Sequence, residues 1–270
     1  MNTHDVRSHF NLTTTPFTRE IPVEKRFDHP QFDGVLGGLY QAVVDRMSAG
    51  LIAVSGSGKS VLLRALKSML PEARFRTHYL KVTSLGKRDM CREIALALGC
   101  EPVGQYNTLV RQIQQRLLTL SDNGGVRPVL LVDEAHDMRP DVLAIFRVLC
   151  NFDMDSRLVV SVILCGQKSL AHMLRRDDLE AVSRRLSHVA TLRNLGRGET
   201  RRYVEHRLTI AGAQQNLFTD LAHDAIFEIG HGNLRATDQV ALKALQLTAV
   251  AGETVVDNQR VADARKQVWL

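Results

Sequence analysis

The sequence predicts an α/β fold, a parallel sheet covered by helices on both faces, followed by a small all-helical region. Three observations predict it. Val129-Leu-Leu-Val and Leu158 to Cys165 are continuous apolar runs, the pattern of strands buried on both faces. Such runs alternate with segments whose apolar residues recur at helical spacing. Beyond Gly196-Arg-Gly only helical patterns remain. A chain of 270 residues, 44% of them hydrophobic, is long enough for one such core and a smaller second domain.

The elements follow in order. Residues 1–34 carry Pro16, Pro22 and Pro30 with scattered Phe10, Phe17, Phe27 and Phe32, and read as an irregular arm whose phenylalanines dock on the core. Gly34 to Met47 reads as a helix with Leu36, Leu39, Tyr40, Val43 and Val44 on one face, weakened by Gly37-Gly38. An apolar run from Leu51 reads as a strand, and Leu62, Leu63, Leu66, Met69 and Leu70 as the helix after it. His78 to Val82 is a second strand, and Asp89 to Leu98 a short helix stopped by Gly99. Tyr106, Leu109, Val110, Ile113, Leu117 and Leu118 mark a longer amphipathic helix, and Ser121-Asp-Asn-Gly-Gly a loop. Pro140 opens a helix with Leu143, Phe146, Leu149 and Cys150. Four helical patterns close the chain: Glu199 to Ala211, Thr219 to Ile229, Asn233 to Val250 and Asn258 to Trp269. The expected division is an arm over 1–34, an α/β core over 35–195 and a helical lid over 196–270.

Composition narrows the partners. The net charge of +6 permits an acidic partner such as nucleic acid without requiring one. The excess lies in residues 1–195, because Lys+Arg and Asp+Glu are nine each from Gly196 onward. Aromatics at 5% argue against a stacking platform for single strands. Cys91, Cys100, Cys150 and Cys165 show no paired spacing and read as reduced thiols in apolar patterns, which suits a cytoplasmic location. No apolar run approaches the ~18 residues of a membrane span and the N-terminus has no signal core, so no membrane association is expected.

Two segments carry chemistry. Leu51 to Leu66 reads strand, glycine turn, helix, the order of a phosphate cradle: backbone N–H groups point inward and the helix start adds partial positive charge. Ser55, Gly56, Ser57, Gly58, Lys59, Ser60 and Val61 would surround the nucleotide. Lys59 would reach the β/γ-phosphates and the Ser60 hydroxyl would ligate Mg²⁺. Against G-x-x-x-x-G-K-[ST], the first glycine falls on Ala53: either Ala53 replaces it, or the loop is shortened and turns on Gly56-Ser57-Gly58. The second segment is Asp133-Glu134, an acidic pair at the carboxyl end of a buried strand, where α/β sheets bind ligands. Asp133 would hold Mg²⁺ through its water shell, and Glu134 would polarise the attacking water. His136 reads as a supporting or surface residue, with no cluster to suggest zinc.

With these motifs in hand, the chain resembles the AAA+ ATPases of the ExeA-like group, and most closely the TnsC-type ATP-binding helpers of bacterial DNA transposition. His9-Phe10-Asn-Leu and Pro16-Phe17 resemble the group's opening. Gly58-Lys59-Ser60 and Leu131-Val-Asp133-Glu134-Ala-His136 resemble its Walker A and Walker B segments. Leu164-Cys-Gly166-Gln167 resembles its sensor-1 strand end, Ser183-Arg184-Arg185-Leu186 its arginine-containing stretch, and Gly232-Asn233-Leu-Arg235-Ala236 its sensor-2 helix start. Against the group's Gly-Glu-x-Gly-x-Gly-Lys, the phosphate loop reads as about two residues short, which puts hydrolysis in question.

The resemblance implies a P-loop ATPase using ATP and Mg²⁺. Gln167 would meet the γ-phosphate or the attacking water, and Arg235 the phosphates from the lid. Arg184 or Arg185, with Arg185 favoured, would reach a neighbouring subunit's nucleotide, where developing phosphoryl charge needs a cation. Lys87 and Arg88 would face duplex DNA and neutralise phosphates without reading sequence. The function so implied is an ATP-dependent regulator that assembles on DNA as a ring or helical filament and recruits or activates a transposase. A secretion-pathway ATPase is the alternative; that class usually adds a membrane span and a wall-binding domain, and neither is found before Leu270. A non-hydrolysing nucleotide switch is the other.

Overall fold

The computed structural model describes residues 5–269; residues 1–4 of the expected arm and Leu270 of the expected lid lie outside them. The chain forms two compact units, His29–Ser55 with Lys59–Leu192, and Met1–Asp28 with Gly56–Gly58 and Arg193–Leu270.

The first unit is built on five strands, β1 (Ser48–Ala53), β2 (Phe75–Lys81), β3 (Arg127–Asp133), β4 (Ser161–Gly166) and β5 (Leu186–Leu192). All pair in parallel, in the order β2-β3-β4-β1-β5. Every residue of β1 and β4 is buried, and the apolar runs Leu51–Ala53 and Val162–Cys165 lie within them. The register brings the carboxyl ends to one edge: Ile52 of β1 pairs with Gly166 of β4, Val132 of β3 with Leu164, and Lys81 of β2 with Asp133. Leu62, Leu66, Met90, Ile94, Leu109, Ile113, Leu117 and Phe146 are among the side chains buried by the helices around the sheet.

Several expectations need correction. β5 was not foreseen, because only Ala190 and Leu192 are buried on this edge strand and it has neither an apolar run nor clean alternation. The first long helix spans Pro30–Val44 rather than starting at Gly34: Pro30 occupies its first turn, where a missing N–H costs nothing. The expected loop at Ser121 is helical, since the helix Tyr106–Gly124 runs on until Gly125 turns left-handed at φ 59°. Its turn-forming residues yield to a helix anchored by Leu109, Ile113 and Leu117, all at 0% exposure. The helix opened by Pro140 is two pieces, Pro140–Leu143 and Ile145–Leu149.

The second unit contains helices Arg197–Ile210, Asp220–Gly230, Leu234–Val250 and Asn258–Gln267. Thr219, Asn233 and Asp257 cap the last three with side-chain oxygens on backbone N–H groups. Val204, Leu208, Phe218, Ile226, Val240, Leu245 and Val261 form its core, joined by Val6, Leu12 and Phe17 of the arm. The arm's phenylalanines therefore dock on these helices: Phe17 meets Phe218 edge-on at 6.3 Å and Phe27 meets Tyr203 at 5.6 Å. Phe32 belongs instead to the helix Pro30–Val44. Arg207, 2% exposed, binds the Tyr203 hydroxyl at 2.7 Å, both Asp238 oxygens at 3.1 Å and the Thr18 carbonyl at 2.7 Å. No helix among the described residues is long and apolar enough to cross a membrane.

Candidate nucleotide site

β1 ends at Ala53, residues 54–58 make the turn, and the helix Lys59–Met69 begins at once. Gly56 and Gly58 sit at φ 79° and 101°, which side chains resist, so both glycines are needed for the turn. Ala53 is 1% exposed at the end of β1 and is not among the residues with positive φ, so its position does not demand glycine. From Ala53 to Lys59 the chain counts seven residues, as many as Gly-Glu-x-Gly-x-Gly-Lys. On that count Ala53-Val54 stand where that form has Gly-Glu. Ser57 is buried, Val61 half-buried, and Ser55 and Ser60 are exposed.

Lys59 is 5% exposed, yet its ammonium lies 3.6 Å from Glu134 Oε2. Glu134 follows β3 in a left-handed conformation, φ 55° and ψ 33°, where a non-glycine residue is strained. Its N–H donates to Asp133 Oδ1 at 2.9 Å, while the Tyr79 hydroxyl donates to Asp133 Oδ2 at 3.0 Å. Asp133, 3% exposed, is therefore oriented by two donors. Its neighbours feel its charge: burial and then Asp133 push the Tyr79 hydroxyl and the Cys165 thiol well above their ordinary values. Asp133 and Ser60 offer oxygen ligands only, the donor type of a hard cation, so these residues fit Mg²⁺. Bound there, Mg²⁺ would neutralise phosphate charge.

β4 ends at Gly166, where a side chain would come within 3.2 Å of the His136 backbone nitrogen. That close approach brings Gln167, the next residue, to His136: Gln167 Nε2 lies 2.8 Å from His136 Nε2. His136 Nδ1 in turn lies 3.3 Å from Glu134 Oε2. Lys59, Asp133, Glu134 and Gln167, separate in the sequence, meet at one edge of the sheet. Tyr79 and the linking role of His136 were not foreseen, because both depend on strand pairing that local patterns do not disclose.

The remaining candidates stand elsewhere. Arg185 binds the Asp155 carboxylate at 2.7 Å and the Ala181 carbonyl at 3.0 Å, so it is tied within its own chain. Arg184 pairs with Glu180 at 2.6 Å with its side chain 77% exposed. Arg235 opens Leu234–Val250 in the helical unit, and its N–H donates to the Gly56 carbonyl at 3.1 Å. Lys87 begins the helix Lys87–Ala97 and lies 3.8 Å from Asp141; Arg88 and Arg92 are exposed and enter no ion pair among the described residues. All four cysteines are free, Cys91 and Cys165 buried and the other two half-buried. Burial raises the Cys91 thiol to about 11 and the Cys150 thiol to about 12.

Comparison with known proteins agrees with this geometry. Residues 45–174 match the family described as AAA domain. The general secretion pathway protein A of Aeromonas hydrophila is 31% identical over 192 residues, which cover 70% of this chain and 35% of that protein. The chain thus spans about a third of the curated relative it matches. Among solved structures, Cdc6p from Pyrobaculum aerophilum superposes with a TM-score of 0.74 at 16% identity, over 94% of this chain and 70% of that one. The ORC1 protein of Aeropyrum pernix, in complex with DNA, gives 0.68 at 15% identity over 92% and 68%. The RuvB Holliday junction branch migration motor of Thermotoga maritima gives 0.61 at 14% identity over 93% and 73%. The fold is that of the AAA+ P-loop ATPases: a parallel five-stranded sheet with flanking helices and a helical C-terminal region.

Proposed function

We propose that the chain is an ATP-hydrolysing AAA+ protein of the ExeA-like group that self-assembles with ATP. The observation that carries this reading is the meeting of Lys59, Asp133 and Glu134 at the carboxyl edge of the sheet, directly after a glycine turn. Lys59 binds the β/γ-phosphates, Ser60 and Asp133 hold Mg²⁺, Glu134 orients the attacking water and Gln167 meets the terminal phosphate. Residues 55–58 and Val61 surround the phosphates, and Arg235 contributes from the helical unit. Arg185 serves a neighbour's nucleotide after exchanging Asp155 for phosphate.

For its output, we retain a regulator of DNA transposition that binds duplex DNA through Lys87 and Arg88 and recruits or activates a transposase. The exposed start of Lys87–Ala97 and the basic residues along it support that reading. A secretion-pathway ATPase is the second reading, and the Aeromonas relative favours it.

Electron microscopy of the chain with Mg²⁺-ATP, with and without duplex DNA, tests both. Rings or filaments that need ATP and are absent in Arg185→Ala support assembly through a shared site; a wild type that stays monomeric under all conditions refutes it. For DNA, Lys87→Ala with Arg88→Ala should weaken duplex binding for every sequence and flatten its salt dependence. No DNA binding by the wild type would leave the secretion reading.

A further inference from the structure

His136 sits between two residues whose roles are separate in the reading above. Its Nε2 faces Gln167 Nε2 at 2.8 Å, and an amide nitrogen only donates. The imidazole Nε2 therefore accepts, and the ring proton sits on Nδ1. That nitrogen is buried, makes no hydrogen bond of good geometry, and lies 3.3 Å from Glu134 Oε2. A small rotation of the carboxylate completes the bond. Glu134 Oε2 is thus flanked on two sides, by His136 Nδ1 at 3.3 Å and by Lys59 at 3.6 Å.

Reversing the Gln167 amide inverts this arrangement. Its Oε1 would then face Nε2 and require a proton there, with Asp137 Oδ1, 3.6 Å from Nε2, favouring the same state. Nδ1 would turn a lone pair toward the Glu134 carboxylate, and the two would repel. The orientation of one amide decides whether the ring holds Glu134 or releases it.

We propose that His136 is a positioning residue that relays the state of Gln167 to Glu134, so that the site distinguishes a nucleoside triphosphate from a diphosphate. The relay rests on the reading that Gln167 meets the terminal phosphate. A phosphate oxygen only accepts, so it takes the Gln167 NH₂ and turns Oε1 toward His136. One proton leaves Nδ1 and one joins Nε2 through exchange with water, with no net change in charge. Lys59 moves to the phosphates at the same time, and Glu134 is free to face water. With the diphosphate the amide stays as it is, and Glu134 remains held.

Nitrogen NMR of the full chain carrying ¹⁵N-labelled histidine reads the tautomer directly, with the His136 signals identified by their loss in His136→Asn. The expected result is a proton on Nδ1 without nucleotide and with ADP, and on Nε2 with Mg²⁺ and a non-hydrolysable ATP analogue. Gln167→Ala, saturated with the same analogue, should show no difference between the two nucleotides. Analogue bound by the wild type, as titration of the same sample verifies, with the proton still on Nδ1 overturns the relay and leaves the nucleotide site standing. Failure of the wild type to bind the analogue overturns the nucleotide site, and the relay falls with it.

Discussion

Two clusters in this molecule pair a cation with a carboxylate in buried surroundings, and they differ in how completely the pairing is made. In the helical unit, Arg207 meets Tyr203, Asp238 and the Thr18 carbonyl at 2.7 to 3.1 Å, leaving only its Nε without a partner. At the strand ends, Lys59 and Glu134 stand 3.6 Å apart, and His136 Nδ1 has no hydrogen bond. Burying charge is costly unless hydrogen bonds compensate it, so the first cluster is built to stay closed. The second keeps donors short of acceptors, as suits groups that exchange partners when a ligand arrives. Saturation of hydrogen bonds, rather than burial, separates the structural cation from the one proposed to bind phosphate.

The largest effect is expected at the closed cluster. Arg207→Met leaves Asp238 and Tyr203 buried without their cation and should lower unfolding stability by about 3–5 kcal/mol in urea titration. A loss below about 1 kcal/mol would show that the cluster does not hold the arm to the helices. Lys59→Ala should do the reverse. Its stability should change by about 1 kcal/mol or less, because Glu134 retains solvent contact. Its ATP affinity should fall at least tenfold, about 1.4 kcal/mol. Equal ATP binding by mutant and wild type would remove Lys59 from the site and the contrast with it.

The third effect is a pH dependence. Burial outweighs the pull of Arg207 and Tyr203 and pushes the Asp238 carboxyl up to about 7. The folded state then keeps a proton that the unfolded chain loses at the ordinary carboxylate value, so this group's contribution to stability falls as pH rises from about 4 to about 7. Asp238→Asn cannot titrate and should flatten that slope. A wild-type slope unchanged by the substitution would assign the pH dependence to other groups.

What was legible in the sequence follows the same division. Lys59, Ser60, Asp133 and Glu134 were legible because a strand, a turn and the start of a helix place each of them locally. Gln167 was named only through a family resemblance, since nothing in Leu164-Cys-Gly166-Gln167 declares chemistry by itself. Tyr79 and His136 contact neighbours on other strands, Asp133 and Gln167, brought together by the pairing of Lys81 with Asp133 and of Val132 with Leu164. The fold class was legible from its buried strands. β5 was not, because an edge strand exposing Ser187, His188 and Val189 lacks the apolar run that marks β3 and β4. The turn-rich Ser121–Gly125 segment misled because packing at Leu117 and above carries the helix through it.

The central claim is that Glu134 orients water for hydrolysis while Lys59 binds the phosphates. Single-turnover hydrolysis by Glu134→Gln, measured alongside ATP titration of the same protein, tests it most directly. The variant should bind Mg²⁺-ATP within a few-fold of wild type and hydrolyse it at least 10²-fold more slowly, on the order of 2.7 kcal/mol in the barrier. Hydrolysis at the wild-type rate by a variant that binds normally would contradict the assignment.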